Sequence, residues 1–451
     1  MKTIDSPGFK TKISGLLKNS SFIYVISFYI LLILISTLGG CADVCETENR
    51  YTYYEPVYTS LEELRSSVMQ EEVRDIEQLG KLYLKSGYLY LNEPGKGLHV
   101  IDNSNPSDPQ NVSFINIPGN RSLSAKGDYL YVDSYVDLVV LDISDPINIS
   151  EVNRVKNVFN DYNSYGYYID PDLGLVTGWE EVSKVEITES ECNEPDYTVC
   201  NDCDGGIYYR GGIALSNSEG ASNQVISDRG IGGSMATFTI YSDYLYTLEN
   251  NSELITINIG DAANPLVHSK QNIGWGVETL FPYGDKLFMG ANDGMYIYDV
   301  EMPASPSLIT KYEHMRSCDP VVVQGDYAYV TLRSGNPCQG FSNQLEVINI
   351  SDIANPQLEY TYPMFNPHGL GIDDDALFVC DGSAGLKIYD ATDISKISQN
   401  LKFQYGDITA LDVIPFNNVL MMISEDGLYQ YDYSDLENIT LLSDIKINPF
   451  N

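Results

Sequence analysis

One histidine of the four in the chain has acidic residues in predicted loops beside it. His368 is expected on the same face of the fold as Asp319 and Asp381, and an imidazole near carboxylates can act as a general acid or base. The other three, His99, His268 and His314, fall within or near predicted strands, where core or edge positions are expected. No G-x-S-x-G, H-E-x-x-H or P-loop motif occurs. Catalysis would therefore depend on His368.

A wider set of residues is expected around the same place. In the fold argued below, the loop that enters the first strand of each repeat and the loop that joins its second and third strands emerge on one face. Residues there that differ from one repeat to the next are candidates for binding a polar or sugar-like ligand. They are Glu93, Lys96, Trp275, Glu278, Arg316, Arg333, His368 and Asp381. The alternative is that these are ordinary solvated loop residues.

The cysteines suggest disulfides more than a metal. Cys318 and Cys338 fall in two loops of one repeat that share this face, so we predict a disulfide, which an exported protein can retain. A second group, Cys192, Cys200 and Cys203, has the spacing C-x7-C-x2-C. Zinc would need a fourth ligand from elsewhere, so a disulfide with one free thiol is favoured. We predict no cofactor, with calcium and zinc as the alternatives.

The first forty residues have the layout of a secretory signal. Four lysines precede an uncharged apolar run from Phe22 to Leu38, and Gly39 and Gly40 follow before Cys41. The sequence Leu38-Gly39-Gly40-Cys41 resembles the bacterial lipobox, in which the cysteine is lipidated and becomes the new N-terminus. The alternative is an uncleaved membrane anchor, because the run approaches the length of a short span. We expect an outer-membrane lipoprotein of the cell envelope, in either leaflet.

Composition argues against one class of partner. The 451 residues carry a net charge of −37, and without the signal 22 basic and 62 acidic residues remain. A chain this acidic repels phosphate backbones, so nucleic acid is excluded as a partner. Solubility of a β-rich surface is the favoured explanation of the acidity, and a specific cationic ligand is the alternative.

After Cys41 the chain divides into a linker, a helix and a long repeat region. Residues 41–59 are polar and acidic and are predicted to be a tether, and residues 60–78 include a short helix opened by a capping box at Ser60-Leu61-Glu62-Glu63. From residue 79 to 451, a strand ending in Asp or Asn recurs about every 40 to 50 residues. Its copies are LHVID, LVVLD, LITIN, MYIYD, LEVIN, LKIYD and LYQYD, with a weaker copy, VSKVEI, at Val182.

Each copy lies in a unit of four predicted strands separated by tight turns. The second unit shows this clearly, with a turn at Gly127-Asp128 between two strands and another at Asp145-Pro146 before the last. Four-stranded meanders at this period predict an all-β fold, a β-propeller. We expect eight four-stranded blades, with a degenerate third blade that carries an insertion at about residues 188–231. Seven blades is the alternative, because the third copy is weak.

The repeats resemble the LVIVD-repeat family. The segments NEPGKGLHVIDNSNPSDP, RSCDPVVVQGDYAYVTLR and NPHGLGIDDDALFVCDGSAGLKIYD carry the resemblance, which extends over nearly all of the chain from Leu79 to Ile447. It implies a secreted, lipid-anchored propeller of undetermined activity. It brings no catalytic residues with it.

The repeat also separates structural residues from candidates for function. An aspartate that ends the motif strand in most units serves the blade, and the expected role is an Asx bond into the next turn. The aspartates concerned are Asp102, Asp142, Asp299, Asp390 and Asp432.

Three functions remain open. The first is a non-enzymatic binding scaffold, attached to the membrane by its lipid, for a glycan or an envelope protein. The second is an exported carbohydrate-active enzyme that uses His368 with Asp319 and Asp381. The third is a structural subunit of an envelope complex.

Overall fold

The computed structural model describes residues 24–25, 27–30, 44–159, 169–170, 172–191, 229–234, 236–314, 320–334 and 342–447. The chain divides into two compact units, residues 1–57 with 179–211 and residues 58–178 with 212–451. No helix in these described ranges is both long and apolar enough to cross a bilayer.

The second unit contains seven antiparallel sheets, each built on four consecutive strands that form one blade. Blade one has β3 (Leu82–Lys85), β4 (Tyr88–Glu93), β5 (Gly97–Asp102) and β6 (Gln110–Asn116), with β2 (Met69–Glu71) and β13 (Ile231–Gly232) added at its edges. Blade two has β7 (Leu123–Lys126), β8 (Tyr129–Ser134), β9 (Asp137–Asp142) and β10 (Ser150–Val155). Blade three has β14 (Phe238–Tyr241), β15 (Tyr244–Glu249), β16 (Glu253–Asn258) and β17 (Leu266–Asn272).

The remaining four blades repeat the same meander. Blade four has β18 (Val277–Tyr283), β19 (Lys286–Ala291), β20 (Gly294–Asp299) and β21 (Ser307–Glu313). Blade five has β22 (Val321–Gln324), β23 (Tyr327–Leu332), β24 (Gln344–Asn349) and β25 (Gln357–Pro363). Blade six has β26 (Leu370–Asp373), β27 (Ala376–Cys380), β28 (Leu386–Asp390) and β29 (Leu401–Tyr405), with a 3-10 helix at Ile394–Gln399. Blade seven has β30 (Ala410–Phe416), β31 (Val419–Ser424), β32 (Gly427–Asp432) and β33 (Thr440–Lys446).

These sheets form a closed ring. The first strands of successive blades lie beside one another, so they are the innermost strands, and neighbouring blades share apolar cores. Leu89 of blade one packs in one cluster with Met421 of blade seven, which closes the ring. A reciprocal pair of buried amides adds to this closure, with Asn103 Nδ2 donating to Gln430 Oε1 (2.9 Å) and Gln430 Nε2 donating to Asn103 Oδ1 (2.7 Å).

The β-propeller is confirmed, and the described residues form seven blades, which is the alternative to the expected eight. The weak copy at Val182 is not a third blade, because it lies within β12 (Gly174–Glu191), in a three-stranded sheet with β1 (Val44–Thr59) and β11 (Ile169–Asp170). Blades two and three are direct neighbours instead, since Val140 and Leu245 belong to one buried cluster. The repeat motif alone did not distinguish an isolated hairpin strand from a blade strand.

The predicted tether is also corrected by β1. Most of residues 41–59 form a strand rather than an irregular linker. Two physical reasons account for the strand. Tyrosines at positions 51, 53, 54 and 58 favour a strand, and β12 provides a neighbouring strand edge for hydrogen bonding. Thr59 and Thr177 hydroxyls meet across these strands at 2.8 Å.

The short helix and the chain after it, residues 60–78, lie across blades one and two and are called here the strap. Helix α1 (Leu61–Ser66) begins after Ser60, whose hydroxyl accepts from the Glu63 amide at 3.2 Å, as the capping motif predicts. Arg65 makes a two-pronged ion pair with the buried Asp137 at 2.7 and 3.0 Å. Strand β2 then pairs with the outermost strand of blade one.

A segment at the end of the insertion fills part of the central channel. Strand β13 pairs with β3, the innermost strand of blade one, and therefore lies on its channel side. Further along this segment, the Ser234 hydroxyl accepts from the Leu370 amide of blade six (2.9 Å) and donates to Asp412 of blade seven (3.3 Å). Residues 229–234 and 236–237, called here the channel segment, therefore link blades on several sides of the ring.

The predicted Asx bonds are confirmed. Each motif-ending aspartate accepts a hydrogen bond from the amide two residues later, at 2.8 to 3.0 Å, in Asp102, Asp142, Asp299, Asp390 and Asp432. Their carboxylates are committed to the turn that starts the connection to the fourth strand.

Candidate functional site

The two loop types expected on one face do meet. The His368 amide, at the entry to blade six, donates to the Cys380 carbonyl at the end of its second strand over 2.6 Å. In blade one, the Gly80 amide donates to the Asn92 carbonyl in the same way at 2.8 Å. We call this surface the channel face.

Residues from blades five and six converge on the His368 imidazole. Arg333 Nη1 and Asn366 Nδ2 each lie 3.3 Å from His368 Nε2. Both are donors, so Nε2 is an acceptor and the ring is neutral, with its proton on Nδ1. The Thr331 hydroxyl fixes the backbone below by donating to the His368 carbonyl at 2.6 Å. Glu278 of blade four adds its negative charge near Arg333.

The surroundings strongly disfavour the charged imidazole. Burial, and then the positive charge of Arg333, lower the pKa of His368 from 6.5 to about 3. Burial likewise lowers the pKa of Arg333, and Glu278 opposes that shift. A base with so low a pKa holds almost no proton at neutral pH, which makes it a poor general acid and a weak general base.

The Asp381 carboxylate is held by structural contacts. Its buried carboxylate accepts hydrogen bonds from the backbone amides of Phe365 (2.9 Å) and Asn366 (2.8 Å) and pairs with Lys387 Nζ at 2.5 Å. It thereby shapes the loop that presents His368. The neighbouring Cys380 is fully buried, and burial, with nearby Asp412 and Asp381, raises the pKa of its thiol.

Glu93 and Lys96 lie in an ion cluster of blade one. The buried Glu93 carboxylate bonds His99 Nε2 (2.9 Å), Lys96 Nζ (2.6 Å) and Arg74 Nη2 (3.1 Å). Burial alone would raise its pKa, but these hydrogen bonds and charges lower the pKa of Glu93 to about 2. Arg74 and Glu77, which pairs with Lys96 at 2.6 Å, belong to the strap, so this cluster secures the strap and is not an open ligand site.

Trp275 lies on the channel face just before blade four, and its side chain is 67% exposed.

Asn366, which contacts the imidazole, was missed at the sequence level. Its position two residues before His368 was the available signal, but an asparagine beside a proline is read first as a turn residue.

Several predicted residues lie outside the described residues. They are Cys41, Cys192, Cys200, Cys203, Arg316, Cys318, Asp319 and Cys338. The Cys318–Cys338 disulfide and the lipidation of Cys41 therefore stay predictions. Over the described ranges, no group of three or more His, Cys, Asp or Glu side chains could hold a metal ion.

Comparisons with known proteins bear on the family. The family model described as LVIVD repeat matches residues 80–116, 120–157 and 316–363. No curated protein matches the chain. Similar solved structures include the computationally designed Ika8 protein, 9% identical, covering 84% of this chain and 90% of that one with a TM-score of 0.49. BamB from Moraxella catarrhalis is 8% identical and covers 80% and 97% with a TM-score of 0.45. Kluyveromyces lactis Hsv2 is 9% identical and covers 80% and 96% with a TM-score of 0.45.

Proposed function

We propose that this LVIVD-repeat β-propeller is a lipid-anchored, exported, non-enzymatic binding scaffold that offers the channel face of blades four to six to a ligand of the cell envelope. One observation carries the proposal. Side chains from consecutive blades, Glu278, Arg333 and His368, are brought together on one face, and none of them is a repeat residue. Non-repeat side chains from adjacent blades, gathered on one face, are what a binding site grafted on a scaffold requires.

Binding is favoured over catalysis by the state of His368 and Asp381, two of the three groups that the enzyme hypothesis uses. The pKa of His368, at about 3, leaves the imidazole neutral throughout the physiological range. The Asp381 carboxylate is held by two amides and a lysine. Turnover of any member of an oligosaccharide panel by the wild type, abolished in His368→Ala while thermal stability is retained, would overturn the proposal in favour of the exported enzyme.

Anchoring is tested separately from binding. We expect metabolic labelling with an alkyne fatty acid to mark the wild type and to leave Cys41→Ala unmarked, with the variant released from the membrane fraction. Equal labelling of both proteins would contradict the lipid anchor. Protease treatment of intact cells then assigns the leaflet, because an outward-facing propeller is exposed to the protease and an inward-facing one is not.

The binding surface can be mapped before the ligand is identified. Hydrogen–deuterium exchange of the mature protein is measured with and without a detergent-solubilised envelope extract of the producing cells. We expect protection in the loops around Trp275, Arg333 and His368, and none in the turns on the opposite face that contain Asp145 and Asp352. Protection absent from the channel face, or equal on both faces, would overturn the proposal.

A further inference from the structure

The loop that carries Trp275 has a closely packed backbone and an exposed indole side chain. Gly274 and Gly276 flank it with φ of +119° and +75°, a region that favours glycine. A Cβ on Gly276 would lie 2.5 Å from Asn292 Nδ2, and one on Gly274 would lie 3.0 Å from the Tyr296 hydroxyl. The backbone on both sides of Trp275 is thus packed closely on blade four while the indole is 67% exposed.

Polar groups of the same blade surround this loop. Asp293 accepts from the Tyr296 hydroxyl at 3.2 Å and from Lys311 Nζ at 2.8 Å. Asn292 donates its backbone amide to the Gly276 carbonyl at 2.9 Å. Its side chain is only 8% exposed, and its Oδ1 has no hydrogen-bond partner. This oxygen is buried and out of reach of a ligand, so Asn292 supports the loop from the blade side rather than contacting a bound molecule.

We propose that Trp275, with Asp293 and Lys311, forms a carbohydrate-binding site on blade four. This inference rests on the proposed scaffold function and gives the chemical class of its ligand. The carbon-bound hydrogens of a sugar ring pack on the exposed indole face, and its hydroxyls meet the Asp293 carboxylate and the Lys311 ammonium group. The carboxylate retains acceptor capacity because Tyr296 and Lys311 use only part of it.

The composition of this surface fits a sugar better than a protein. The core of a protein interface is apolar and depleted in charged groups, and it extends over several residues. Here one large apolar side chain, Trp275, is exposed on a loop whose backbone packs on Tyr296, and Tyr296 in turn contacts Asp293. A ligand with one small apolar face and many hydroxyl groups matches that pattern.

The chain offers an internal fluorescence probe and a matched control. It has two tryptophans, and the second, Trp179, is 57% exposed on β12. The Trp179→Phe variant therefore leaves Trp275 as the single indole. Its emission is titrated with hexasaccharides of glucose, xylose, N-acetylglucosamine and galacturonic acid. We expect a saturable change in Trp275 emission with at least one of these sugars.

Variants then test the named groups. By calorimetry with the sugar that binds, Trp275→Ala and Asp293→Ala should each lower affinity at least tenfold, whereas Trp179→Ala should leave it within twofold. Circular dichroism checks that each variant is folded, and the exposed Trp275 is not expected to affect folding. No saturable change with any of the four sugars, or affinity unchanged in Trp275→Ala, overturns the carbohydrate site.

The envelope extract separates failure of this inference from failure of the scaffold function. Before the exchange measurement, one portion is oxidised with periodate and another is digested with protease that is then inactivated. Loss of channel-face protection only after periodate supports the carbohydrate site. Loss only after protease overturns it and leaves the scaffold function intact with a protein ligand, whereas absence of protection by the untreated extract overturns both.

Discussion

The neutral state of His368 leads to a prediction about stability and pH. The folded protein holds the pKa of this imidazole at about 3, whereas an unfolded chain leaves it near 6.5. Below pH 6.5 the unfolded state therefore binds a proton that the folded state does not. The contribution of His368 to stability is complete above pH 6.5 and decreases as the pH falls towards 3.

The size of the effect follows from the two pKa values. At about 1.4 kcal/mol per pKa unit, lowering the pH from 7 to 5 should reduce the free energy of unfolding by about 2 kcal/mol through this group. The His368→Gln variant lacks the titrating group but keeps a side-chain acceptor for Arg333 and Asn366. Other groups titrate equally in both proteins, so they cancel in the difference between wild type and variant.

Two measurements check this reasoning. Urea unfolding of wild type and His368→Gln at pH 7, 6 and 5 gives the difference in unfolding free energy, which should change by the stated amount in favour of the variant. Histidine ring resonances in NMR should show one imidazole, absent from the variant, that does not titrate between pH 8 and 5. A His368 midpoint near 6.5, or the same pH dependence in both proteins, would refute the assigned burial and charge.

Three further predictions concern the ring and its attachments. Gln430→Leu leaves the buried Asn103 amide without its partner and should lower the free energy of unfolding in urea by about 3 kcal/mol. The exposed control Gln404→Leu should change stability by less than about 0.5 kcal/mol. Equal effects of the two variants would contradict the role of this amide pair in closing the ring. Ser234→Ala removes an acceptor inside the channel and should speed amide exchange at the start of β26, and unchanged exchange there would count against the channel segment as a link. Arg65→Ala should cost about 1–2 kcal/mol and speed trypsin cleavage after Arg74 without exposing the blades, and cleavage there at the wild-type rate would show that the strap holds without this ion pair.

The fold was largely readable because a repeat multiplies weak signals. Each motif strand is only five or six residues long, but seven copies at one period fix the blade, its turns and its buried faces together. The two errors lie where repetition gives no help. The copy at Val182 keeps the strand pattern in β12, yet its neighbours in space are β1 and β11, and only long-range pairing decides that. Residues 41–59 contain no copy of the repeat, and most of them form β1 by pairing with β12.

The candidate site could be predicted only in part from the sequence, because there are two possible reasons for a residue to depart from the repeat. One is a ligand, and the other is a structural feature that also occurs once. Glu93 and Lys96 depart from the repeat because blade one alone receives the strap, and Arg74 of that strap needs a buried counter-charge. Sequence shows the departure in each case but cannot show the contact that explains it.

The same distinction gives the strongest argument for the channel face of blades four to six. Asp381 is explained by the loop amides it binds, so it leaves the set of candidates. Trp275 has no such explanation, because its neighbours Gly274 and Gly276 are packed on the blade while the indole itself remains in solvent. Exposing a large apolar ring on a closely packed loop gives nothing to folding. A departure from the repeat that no structural contact explains is a candidate for ligand binding, and this is why removal of Trp275 most directly tests what this propeller binds.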